Sequence, residues 1–269
     1  MSQAQQNKSP KATANIRTFL HRKKDVVFAR GNIEKLFNAY LLHAKSLGPL
    51  PEELGLEIMR KTLACATLQL ALLPPDQFVA WTINLSQPRL NVFLAGDNNQ
   101  FQITGRVYNE NVKDTPINRL YVETQRPKHE PSRSMLDFHG LDILKTMEEY
   151  FIRSVQIPTR FFELAPDDFL MAQGMPRVDR AWMESLDKNS VSKHIEQNEM
   201  ESIEERKYKF NCGCNAEKIL SVLKGMFKNN PLDLFADAEK IDATCPRCGK
   251  KWVISKDEFN ARDKDLGFS

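Results

Sequence analysis

The sequence predicts an α+β core domain with a mostly antiparallel sheet, followed by an acidic linker and a small C-terminal zinc-binding domain. Three observations predict this. Helical and strand-like apolar periods follow one another in mixed order as far as residue 178. From Glu184 to Lys207 the composition shifts to seven acids against four bases, with few apolar residues. Beyond that, four of the five cysteines fall into two close pairs, Cys212-Gly213-Cys214 and Cys245-Pro246-Arg247-Cys248, thirty residues apart. The expected divisions are a disordered leader at 1–19, the core at 20–178, the linker at 179–208, the zinc domain at 209–260 and a tail at 261–269.

A chain of 269 residues with 41% hydrophobic content can bury one sizeable core and a smaller one. The net charge of +3 does not by itself argue for nucleic acid. No apolar run approaches the ~20 residues of a membrane span, and the first thirty residues lack the apolar segment of a secretory signal. A cytoplasmic protein with reduced thiols is therefore expected, which favours metal over permanent disulfides. The first thirty residues carry seven basic side chains against Asp25 alone. A disordered leader running into a strand accounts for them, with an organelle transit peptide as the alternative.

Val26–Ala29 reads as a short strand. Asn32 is suited to cap a helix carrying Ile33, Leu36, Phe37, Tyr40, Leu41, Ala44 and Leu47, which Gly48-Pro49 ends. A second helix opens at Pro51-Glu52-Glu53 and stops at Pro74-Pro75. From Leu63 to Leu73 it is apolar almost all round, so it should be buried, with Cys65 as a core residue. Phe78–Leu85 alternates, placing Val79, Trp81, Ile83 and Leu85 on one face. Leu90–Ala95 and Phe101–Tyr108 flank a hairpin turn at Gly96–Asn99, and Leu120–Thr124 adds a strand. Arg126–Arg133 is expected as a charged loop. A third helix spans Leu141–Ser154, with Leu141, Leu144, Met147, Tyr150 and Phe151 inward. Thr159–Leu164 and Phe169–Gln173 close the core.

In the acidic stretch the apolar residues are Leu186, Val191, Ile195, Met200 and Ile203, a thin stripe. A segment that buries so little offsets little of its ordering entropy, so it reads as a solvated linker or as one held near its folding threshold. In the metal domain Ala216–Phe227 is expected as a helix and Trp252–Ile254 as a strand. The five histidines, His21, His43, His129, His139 and His194, have no second ligand close in sequence and read as solvated residues.

The spacing CxC…CxxC is that of a four-thiolate site, since Zn²⁺ takes four sulfurs in a tetrahedron. Cys212, Cys214, Cys245 and Cys248 are the expected ligands of one Zn²⁺ per chain. Two readings fit: a structural zinc ribbon, and a redox switch in which the bound thiolates are what an oxidant attacks. No phosphate loop, GxGxxG, HExxH or GxSxG motif is present, so neither nucleotide use nor hydrolysis is expected.

Phe210-Asn211-Cys212-Gly213-Cys214 and Cys245-Pro246-Arg247-Cys248-Gly249 are similar, in spacing and context, to the zinc switch of the redox-regulated heat-shock protein 33 family. Glu149-Tyr150-Phe151-Ile152-Arg153-Ser154-Val155-Gln156-Ile157-Pro158-Thr159-Arg160 resembles that family's core segment, as do Arg30-Gly31 and Gly105-Arg106-Val107. The resemblance covers most of the chain. It implies a holdase chaperone rather than an enzyme, one that binds unfolding client proteins without nucleotide, nucleic acid or membrane. It also implies that oxidation converts the four ligands into disulfides Cys212–Cys214 and Cys245–Cys248, releases zinc, unfolds the linker and favours a homodimer. The alternative is a zinc-ribbon nucleic-acid-binding protein, for which Trp252 beside Lys250 and Lys251 is the candidate contact. A thiol–disulfide oxidoreductase would want CxxC at a helix start, whereas here glycine, lysines and a strand follow Cys248.

Overall fold

Ten strands form one sheet, in the order Ser132–Phe138, Asn118–Gln125, Phe78–Leu85, Leu90–Asp97, Gln102–Tyr108, Glu201–Phe210, Thr13–His21, Val26–Asn32, Asp168–Gly174 and Thr159–Ala165. The computed structural model describes residues 12–110, 112–197, 199–227, 234–236 and 238–261. The chain divides into two compact units, Met1–Asn211 and Cys212–Ser269.

In the first unit the strands are β1 Thr13–His21, β2 Val26–Asn32, β3 Phe78–Leu85, β4 Leu90–Asp97, β5 Gln102–Tyr108, β6 Asn118–Gln125, β7 Ser132–Phe138, β8 Thr159–Ala165, β9 Asp168–Gly174 and β10 Glu201–Phe210. All neighbours pair antiparallel except β10 and β5, which run parallel through Lys209↔Gln102 and Phe210↔Ile103. Helices α1 Glu34–Leu47, α2 Glu53–Leu72 and α3 Ile143–Tyr150 contribute to the main core. Asn32 Oδ1 accepts from the Glu34 amide at 2.9 Å at the start of α1. Ile58, Leu63, Leu68 and Leu70 of α2 pack with Val79, Trp81, Ile83 and Leu85 of β3, all essentially without exposure. Arg60 of α2 binds Glu163 at 2.8 Å and Asp167 at 3.2 Å, tying the helix to the β8–β9 hairpin.

Several expectations change on folding. The hairpin turn is later than Gly96–Asn99, because Gly96 and Asp97 continue β4. A Cβ at Gly96 would run into the Leu70 side chain, so glycine here lets helix and sheet approach. The third helix begins at Ile143 under an Asp142 cap and gives way to a π-turn over Phe151–Val155, leaving Leu141 exposed. The charged loop is shorter than expected, since Ser132–Phe138 forms edge strand β7, burying only Leu136 and Phe138. Of the leader expected over 1–19, residues 13–19 instead belong to strand β1, Thr13–His21. Residues 1–11 lie outside the described residues, as do 262–269 of the expected tail.

The acidic segment differs most from expectation. It folds into α4 Arg180–Ser185, α5 Lys188–Glu196 and strand β10, which lies between β5 and β1 in the first unit. The stripe is thin but it is used. Met183, Leu186 and Val191 are buried with Val26, Phe28, Phe162, Leu170 and Ala172 of β2, β8 and β9 in a second small core. Ile195 and Met200 pack partly against it, and Ile203 stays exposed. Arg160, the last residue of the family-like segment, donates to the Glu184 carbonyl at 2.9 Å and so reaches α4.

Candidate metal centre

The second unit begins at Cys212, two residues after β10 ends. Gly213 takes φ 64°, a left-handed conformation open to glycine, and turns the chain between the first two cysteines. Asn215 then caps α6 (Ala216–Met226), its side chain accepting from the Lys218 amide at 2.8 Å. Lys218 Nζ donates back to the Gly213 carbonyl at 3.0 Å.

The second pair sits on a turn between strands β11 (Lys240–Thr244) and β12 (Lys251–Ser255), which pair antiparallel. Sequence periodicity did not reveal β11, because only Ala243 of its five residues is buried. The turn closes with Gly249 N–H donating to Cys245 C=O and Cys245 N–H to Lys250 C=O, both at 2.9 Å. Gly249 takes φ 80° just past the last cysteine. Helix α7 (Lys256–Ala261) follows, with Ser255 and Glu258 bonding each other's amides in a capping box. Buried Ile219, Leu220, Phe235, Ala243, Ile254 and Phe259 pack with Cys245 and Cys248.

The fold brings the four predicted ligands together. One sulfur from each of Cys212, Cys214, Cys245 and Cys248 lies within 4.8 Å of the others. Cys212 Sγ is 3.6 Å from Cys245 Sγ, and Cys214 Sγ is 3.6 Å from Cys248 Sγ. A disulfide would need about 2.05 Å. Four sulfurs about 2.3 Å from one Zn²⁺ sit about 3.8 Å apart along each tetrahedral edge. The spacing thus fits a metal-holding set and not bonded cysteines. The Cys212 thiol is pushed well above its ordinary range by its hydrogen bond with Cys248 and by burial. Burial, then the charge of Cys212, raises the Cys214 thiol to about 11. Thiols so crowded keep their protons unless a cation offsets the thiolate charges, and a divalent ion supplies that. Cys65 is not in the cluster. It is fully buried on α2, where burial raises its thiol pKa.

Trp252 is half-buried against the core of the second unit, with Lys250 Nζ 4.3 Å from its ring centroid. Among the described residues no helix is long and apolar enough to cross a membrane.

The solvated reading holds for His129 and His139, which are exposed, but not for His21. His21 is 3% exposed and lies with His194 and Glu199 in a second cluster of potential ligands. Their separation along the chain left no local signal.

Fold and site together define an α+β protein carrying a small four-cysteine unit able to hold a metal ion. The Hsp33 protein family model matches residues 52–255, and the chain belongs to the Hsp33 family. The 33 kDa chaperonin of Enterobacter sp. (strain 638) is 24% identical over 207 residues, covering 65% of this chain and 69% of that one. The 33 kDa chaperonin of Methylobacillus flagellatus is 26% identical over 184 residues, covering 59% of this chain and 62% of its own length. The crystal structure of the Thermotoga maritima 33 kDa chaperonin shares the fold, with a TM-score of 0.70 at 18% identity over 95% of this chain and 99% of that one.

Proposed function

We propose that this protein is a redox-regulated, ATP-independent holdase chaperone that binds unfolding proteins in the cytoplasm under oxidative stress. It acts by binding and not by catalysis. In the reduced state Cys212, Cys214, Cys245 and Cys248 hold one Zn²⁺, which supplies the charge and the cross-link that keep the small unit folded. An oxidant such as a peroxide takes two electrons from each cysteine pair, forms Cys212–Cys214 and Cys245–Cys248, and is itself reduced to water. Sulfurs paired in this way no longer offer thiolates to a metal.

The observation that carries the reading is the cluster of four sulfurs within 4.8 Å. The covered apolar face of β2, β8 and β9 supports it further. Met183 of α4, Leu186 just after it and Val191 of α5 are buried over Phe28, Phe162 and Leu170. Release of that cover would expose a client-binding surface and favour the homodimer.

The test is suppression of aggregation of a thermally unfolding client by the reduced and the oxidised protein, without nucleotide, with zinc release followed in parallel. Suppression by the oxidised form alone is expected. Equal suppression by both forms would remove the switch from this reading.

A further inference from the structure

His21 closes β1 and is buried, yet neither of its ring nitrogens has a hydrogen-bond partner. Buried polar groups are almost always paired, so an imidazole with two unmet nitrogens needs a cause. Its ring makes edge contacts with Trp182 and His194, at centroid distances of 5.9 and 5.3 Å. These fix the ring's plane without satisfying a nitrogen. Its Nε2 lies 3.6 Å from Glu199 Oε2. His194 Nδ1, from α5, lies 2.6 Å from that same oxygen. One donor atom from each of the three residues falls within 4.8 Å of the others.

We propose that His21, His194 and Glu199 form a second metal site, distinct from the cysteine cluster, which takes a divalent transition ion such as Zn²⁺, Co²⁺ or Ni²⁺. Two imidazoles and one carboxylate suit ions of borderline softness and leave a coordination position for water. Mg²⁺ and Ca²⁺ want more oxygens than the one carboxylate offers. Ligand atoms on one tetrahedral ion stand about 3.3 Å apart at bond lengths near 2.0–2.1 Å. The 2.6 Å hydrogen bond between His194 and Glu199 therefore opens slightly on binding, which an exposed Glu199 permits. Lys23 and Lys24 lie close in sequence, and Lys24 sits 5.1 Å over the Trp182 ring, so local positive charge makes this the weaker of the two sites. Glu201 already engages Arg22, at 2.6 Å. The ion joins the end of β1 to α5 and so pins α5 to the sheet. That α5 belongs to a releasable cover rests on the proposed chaperone reading; the site itself does not.

The test is equilibrium dialysis of reduced full-length protein against Zn²⁺ alone, comparing wild type with Glu199→Gln and His194→Gln. Glu199 is exposed and His194 lies near the surface, so neither change opens the core. The wild type is expected to take up one equivalent more than either variant, each losing affinity about tenfold or more. Excess Mg²⁺ should not compete. The ring resonances of His21 and His194 should shift as the equivalent binds. The count is read as a difference, so it holds whether or not the cysteines are loaded, and contributions from His43, His129 and His139 cancel. Equal zinc in the three proteins would overturn the site.

Discussion

Tyr208→Phe should loosen β10 without disturbing the packing around it. Tyr208 is fully buried, and its hydroxyl donates to Asn98 Oδ1 at 2.6 Å. The Asn98 Nδ2 group in turn donates to the carbonyls of Leu70, Leu73 and Pro74, at 3.1, 3.0 and 2.7 Å, where α2 ends. Arg206, also on β10, donates to the Leu73 carbonyl at 2.6 Å. The strand pairs with β1 over eight positions but with β5 over only two, and Glu201–Glu205 are exposed. Burial raises the Tyr208 pKa to about 12, so the hydroxyl stays a donor throughout the working pH range. Phenylalanine fills the same space but leaves Asn98 Oδ1 buried without its donor, at a cost of ~1–3 kcal/mol. That makes opening of β10 roughly 5- to 150-fold more frequent. Native-state hydrogen exchange reads this directly: amides of β10 should lose protection while those of β3 and β4 keep theirs. Unchanged exchange in β10, or an equal loss in every strand, would refute the reasoning. On the proposed function, the reduced variant should also suppress client aggregation more than the reduced wild type.

On the proposed function, chelating the zinc from reduced protein should unfold the second unit. Among the described residues its core holds five large buried apolar side chains, and an unaided core of a small domain yields ~3–5 kcal/mol against ~10–16 kcal/mol from a structural zinc. Loss of dispersed NMR signals from residues 212–261 with the first unit's spectrum retained is expected; retained dispersion throughout would argue against a structural metal. Cys65→Ser should keep its zinc and Cys248→Ser should lose it, and metal analysis showing the reverse would refute the ligand assignment. During timed oxidation Cys245–Cys248 should close before Cys212–Cys214, since a single intervening residue strains the S–S geometry. Disulfide mapping by mass spectrometry checks this, and cross-pairs Cys212–Cys245 or Cys214–Cys248, already 3.6 Å apart, would show that proximity decides instead. Asp187 caps α5, accepting from the Ser190 amide at 2.7 Å, and its bonds with Ser190 hold its pKa below the ordinary 3.8. The ionised cap therefore contributes stability above that value and loses it as pH falls through the folded pKa. Protection of α5 amides should drop over that range, and Asp187→Ala should remove the dependence.

The sequence by itself determined the elements whose signals are local. Alternation located β3 to the residue and named its buried face, Val79, Trp81, Ile83 and Leu85. An all-round apolar pattern marked α2 as buried. Ligand spacing alone selected the four cysteines that the fold gathers, because two short turns joined by one loop are enough to converge four sulfurs. Elements held by partners distant in sequence were decided by tertiary structure. β1 and β10 look like a basic leader and an acidic linker, yet they pair across the chain with Arg17 opposite Glu205 and Ile16 opposite Arg206. Edge strand β7 buries two side chains and is secured by β6, with Arg119 on Asp137 and Arg133 on Glu123. The cluster of His21, His194 and Glu199 also exists only once α5 docks beside the end of β1. Backbone pairing and side-chain convergence between distant segments leave no periodicity in either segment. A strand held by its neighbours can therefore carry the composition of a linker, and its identity emerges only when those neighbours are in place.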